Sequence, residues 1–88
     1  MQIALVHGYY LNDGYVETSR TLVSIDIDAS GLDLLQLAKG LDWPDHLQPK
    51  LGSLFLEASD RQLVDLEVPL SQQNVHDGTE VRLRLGLR

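Results

Sequence analysis

Eighty-eight residues, 43% hydrophobic and 23% charged, suffice for one domain spanning 1–88 with a modest core and leave no room for a second. No cysteine is present, which excludes disulfides, thiolate catalysis and iron–sulfur ligation. Seven Lys and Arg against 13 Asp and Glu give a net charge of −6, the wrong sign for a chain whose partner is a polyphosphate backbone, so nucleic acid is not expected. The amino-terminal run Met1 to His7 lacks a basic segment, and no stretch approaches the ~18 apolar residues of a membrane span, so a soluble, cytoplasmic chain with no membrane insertion is expected.

Ile3 to Val6 is a short apolar run with the length and β-branching of a buried strand. Asn12-Asp13-Gly14 marks a turn inside a long first loop, Gly8 to Ser19. From Arg20 to Asp28 the pattern alternates, with Val23, Ile25 and Ile27 on one face and Ser24, Asp26 and Asp28 on the other, which predicts a second strand. Ser30 then supplies a hydroxyl cap and Asp33 the matching capping-box acid, while Leu34, Leu37, Ala38 and Leu41 repeat at helical spacing. A helix over Gly31 to Leu41 is predicted, ended by Trp43-Pro44. A polar connector that begins at Asp42 and runs to Lys50 contains both Pro44 and Pro49.

Leu54 to Glu57 reads as a strand and Gln62 to Asp65 as its hairpin partner. Leu70 to Val75 suits a single helical turn before the Asp77-Gly78 turn. The last strand has Val81, Leu83, Leu85 and Leu87 facing inward and Arg82, Arg84 and Arg88 outward. The order β–β–α–β–β–turn–β is an α+β layout in which one helix packs on one face of a sheet.

In this element order, and in the ending Leu70, Val75, Asp77-Gly78, Val81, Leu83 and Leu85, the chain resembles the ubiquitin-like β-grasp superfamily. The resemblance implies a mixed sheet of four to five strands packed on one helix. The closing Arg82-Leu83-Arg84-Leu85-Gly86-Leu87-Arg88 is similar to ubiquitin's own basic, Leu-rich tail. Among bacterial branches the sequence looks most like the YukD-like proteins, small accessories of type VII secretion systems. It is also similar to the small ubiquitin-fold subunit of multicomponent monooxygenases. Conjugation and sulfur transfer need a slim Gly-Gly ending, and the sequence given ends on Arg88, which ranks a modifier or sulfur carrier third.

No catalytic constellation is expected. His7, His46 and His76 are the only candidate nitrogen ligands and show no metal-binding spacing, Asp26, Asp28 and Asp33 are explained by a strand face and a helix start, and no G-x-S-x-G or phosphate loop exists. No metal or cofactor is implied. Two surfaces remain as candidates for a protein partner in a larger assembly. Arg82 and Arg84 project from one strand and either form cross-strand pairs with carboxylates or offer bidentate contacts to a partner. Tyr9, Tyr10 and Tyr15 crowd the first hairpin and either roof the core or dock a partner. The chain itself is expected to be a monomer or a weak homodimer through an open sheet edge.

Overall fold

The computed structural model describes residues 1–12, 14–58 and 62–85, with the side chains of Tyr9, Tyr10, Leu11, Tyr15 and Lys50 outside the described set. Four strands, β1 (Gln2–Leu11), β2 (Gly14–Ser24), β3 (Leu54–Ala58) and β4 (Glu80–Leu85), form one mixed sheet in the order β2-β1-β4-β3. β1 pairs antiparallel with β2 and parallel with β4, and β3 pairs antiparallel with β4. Helix α1 (Gly31–Lys39) packs on one face. This is the predicted α+β arrangement, with four strands.

The core lies between that face and the helix. Ile3 and Leu5 from β1, Leu34 and Ala38 from α1, Leu54 and Leu56 from β3, and Val81 and Leu83 from β4 bury against one another, joined by Leu70 and Val75. Period-two spacing in the strands and i, i+4 spacing in the helix bring these side chains to one layer.

The helix begins as the sequence predicts. The Ser30 hydroxyl accepts from the Asp33 amide at 3.3 Å and the Asp33 carboxylate accepts from the Ser30 amide at 3.0 Å, completing a capping box worth about 0.5–2 kcal/mol. Its first turn is pinned from outside as well: the Gly31 amide donates to the Val68 carbonyl and the Leu32 amide to the Leu66 carbonyl. At the other end the Trp43 indole donates to the Ala38 carbonyl at 2.8 Å, satisfying one of the carbonyls that a helix terminus leaves open.

Four expectations are corrected. β2 starts at Gly14 instead of Arg20, because Tyr9 to Leu11 pair with Gly14 to Val16. It also stops at Ser24, which pairs with Gln2 at the start of β1, so that Ile27 lies beyond the ladder and is exposed. The predicted strand over Gln62 to Asp65 shrinks to a single bridge between Glu57 and Leu63, and the turn at 59–61 lies outside the described residues. The polar connector, finally, is a 3-10 segment, Asp45–Ser53, whose looser bonding accommodates Pro49.

Near the helix end His7 packs against Trp43, ring centroids 5.1 Å apart and planes tilted by 39°, and burial pushes its imidazole below the ordinary 6.5. A lowered histidine pKa means that the unfolded chain binds a proton more readily than the folded one. The stability this group contributes is therefore complete above pH 6.5 and is lost as pH falls through the lowered value. Melting temperature should drop as pH falls below 6.5, and His7→Phe should flatten that part of the profile in a calorimetric pH series.

Candidate functional site

The face of the sheet turned away from α1 carries both predicted arginines. They alternate along β4 because the intervening Leu83 points into the core. The antiparallel register of β3 and β4 sets Glu57 opposite Arg82 and Phe55 opposite Arg84. Glu57 is only 4% exposed, a degree of burial that a carboxylate tolerates only when paired. Its Oε2 lies 3.3 Å from Nη1 of Arg84, which donates a hydrogen bond to it, and its Oε1 lies 4.0 Å from Nη1 of Arg82.

Of the two readings of the arginines, the cross-strand pairing with a carboxylate is therefore present. It does not consume the surface. Arg84 keeps 46% of its side chain in solvent, and Phe55 beside it is 41% exposed. The local sum of one carboxylate and two guanidinium groups is positive on a chain whose total charge is negative. A buried carboxylate thus holds two cations on a defined part of the sheet next to an exposed aromatic ring. Such an arrangement can accept a partner's carboxylate and cover its apolar neighbour, the chemistry of an interface anchor.

Further along the same face Arg20 pairs with Glu17 at 2.8 Å and with Glu80. Hydrogen bonding to Arg20 holds the Glu17 carboxyl below the usual carboxylate range, and the two glutamates hold the Arg20 guanidinium protonated well above its ordinary value. Between the clusters Ala4 and Val6 are buried although they stand outside the helix-side core. Val6 sits in register between Arg20 and Arg82.

The tyrosines are placed by their backbones alone. Tyr9 and Tyr10 end β1, Tyr15 begins β2, and Tyr10 pairs with Tyr15; their side chains lie outside the described residues. Because β1 and β4 run parallel with His7 opposite Leu83, this hairpin extends beyond the end of the sheet that Arg84 approaches.

The sequence pattern did not single out Glu57 or Phe55 as site residues. Both share the face opposite Leu54 and Leu56 by alternation, a signal present in the sequence, but their meeting with Arg82 and Arg84 needs a register between segments some 25 residues apart. Among the described residues no group of three His, Asp or Glu side chains could hold a metal ion, and no helix is long and apolar enough to cross a membrane.

No family model matches the chain, and no curated protein matches it. Among solved structures it is similar to a ubiquitin-like protein from the hyperthermophilic archaea Caldiarchaeum subterraneum, at 19% identity and a TM-score of 0.52, over 100% of this chain and 99% of that one. With its mixed sheet, crossover helix and closing parallel strand, the chain has a ubiquitin-like β-grasp fold.

Proposed function

We propose that the chain is a non-enzymatic, ubiquitin-like protein-interaction module of the cytoplasm that docks as an accessory subunit on a larger assembly. The observation that carries this reading is the anchored pair Arg82 and Arg84 beside exposed Phe55. Buried charge held in place next to an exposed ring is a costly arrangement for mere solubility, and it suits a partner that brings carboxylates and a small apolar contact. The favoured version is an accessory of a type VII-like secretion assembly, in line with the resemblance to YukD-like proteins. The alternative is a small structural subunit of a multicomponent monooxygenase.

Affinity capture from native lysate distinguishes them. A membrane ATPase or other secretion component recovered with the chain supports the first version, and a diiron hydroxylase the second. In either case bait carrying Phe55→Ser should lose the partner while melting as the parent does, because Phe55 is not part of the buried core. Equal recovery by that bait would place the docking site elsewhere.

A further inference from the structure

The two edges of the sheet are finished differently. Along β3 the returning chain occupies the edge: the Ala58 amide donates to the Gln62 carbonyl at 2.8 Å and the Val64 amide to the Leu56 carbonyl at 2.9 Å. Along β2 no described residue does the same. The phase of the β1–β2 ladder is set by Met1 and Ile25, which exchange hydrogen bonds of 2.7 and 2.9 Å. Bonded and unbonded pairs alternate in an antiparallel ladder, so Val23, Thr21 and Ser19 bond across to β1. The backbone N–H and C=O of Ser24, Leu22 and Arg20 are then directed away from β1, into the open side.

Natural edges are commonly defended by proline, lysine or a bulge. The stretch from Ser19 to Ser24 contains neither residue, and the register shift lies just before it, opposite His7 and Gly8. Its one charge, Arg20, is tied to Glu17 and Glu80. Leu22, at 68%, is the most exposed of the large hydrophobic side chains among the described residues.

We propose that this edge pairs with the same edge of a second copy, antiparallel about a two-fold axis at Leu22. Among two-fold positions at the three residues with outward-directed backbone groups, the sequence of the edge favours one register. A two-fold centred on Arg20 would set two guanidinium groups opposite each other, and one centred on Ser24 would set Leu22 against Asp26. Centred on Leu22, that exposed leucine meets its own copy, Thr21 meets Val23, Arg20 meets Ser24 and lies diagonal to Asp26, and no like charges are opposed. Each copy's three outward N–H groups then reach three outward carbonyls, about six hydrogen bonds in all. The contact is small, and each copy carries a charge of −6, so the dimer is weak and concentration-dependent.

Because the chain has no cysteine, a single introduced thiol reports the register cleanly. In this pairing the two residues at position 22 stand about 5.5 Å apart, within disulfide reach. Those at position 24 are separated by about 13 Å along the strand. Leu22→Cys should therefore form a covalent dimer in a glutathione redox buffer while Ser24→Cys does not, and sedimentation equilibrium should show the parent mass rising above 9.8 kDa with concentration while Leu22→Lys stays at that mass. A parent that stays at 9.8 kDa throughout, or cysteines at both positions that cross-link equally fast, would overturn the proposal. So would a partner strand that captures position 22 while the purified chain remains monomeric.

Discussion

Gly31→Ala should lower stability by about 3 kcal/mol and the melting temperature by about 12–24 °C, although the same exchange in an ordinary helix is favourable by at most about 1 kcal/mol. A Cβ at position 31 would lie 2.2 Å from the Asp65 carbonyl oxygen and 2.9 Å from the Leu66 Cα. Both are backbone atoms of a segment that cannot retreat cheaply. Its amides and carbonyls are bonded to Gly31, Leu32 and Ala29, and the Gln73 side chain clamps it through the Asp65 amide at 2.7 Å and the Asp65 and Val68 carbonyls at 2.8 and 2.9 Å. Gly40→Ala is the control. Its Cβ would meet nothing closer than 3.5 Å and its φ of −80° suits any residue, so thermal unfolding should leave that variant unchanged or slightly stabilised. Equal melting of the two variants would contradict the close approach that seats the helix start on the 65–70 segment.

Reversing both arginines, Arg82→Glu with Arg84→Glu, should cost about 3–5 kcal/mol, a large share of the ~4–13 kcal/mol available to a chain of this length. The reason is Glu57. Its carboxylate is withdrawn from water and would face two like charges in place of two cations. Adding Glu57→Gln to the double variant removes the buried negative charge and should recover part of the loss in denaturant titration. Arg84→Gln alone should cost no more than about 1 kcal/mol, since its guanidinium is half in solvent. The double reversal therefore unfolds the surface it is meant to probe, which makes it a poor test of binding and a strong test of the Glu57 anchor.

The helix and the last strand were legible in the sequence because local rules decide them. Ser30 and Asp33 close a capping box by their spacing alone, and Val81, Leu83 and Leu85 alternate without interruption. β2 was misplaced because its ends depend on its partner: the ladder runs from Gln2 opposite Ser24 to Leu11 opposite Gly14, and the alternating pattern through Ile27 falls outside it. The short return after β3 failed as a strand for a related reason, since only Leu63 comes into bridging position with Glu57. At the site, the outward placement of Arg82 and Arg84 follows from period two, whereas the carboxylate between them is a tertiary fact. Likewise the openness of the β2 edge depends on which strand lies outermost, a matter of sheet order that no local pattern encodes.

The central claim is that the outer face around Arg84 and Phe55 is where a protein partner docks. Its most direct test is the affinity of the purified complex, by titration calorimetry, for the parent chain and for Phe55→Ser and Arg84→Gln. Each single variant is expected to bind about tenfold or more weakly, with its melting temperature within a few degrees of the parent's. Full affinity in both variants would contradict the claim and move the docking surface off this face.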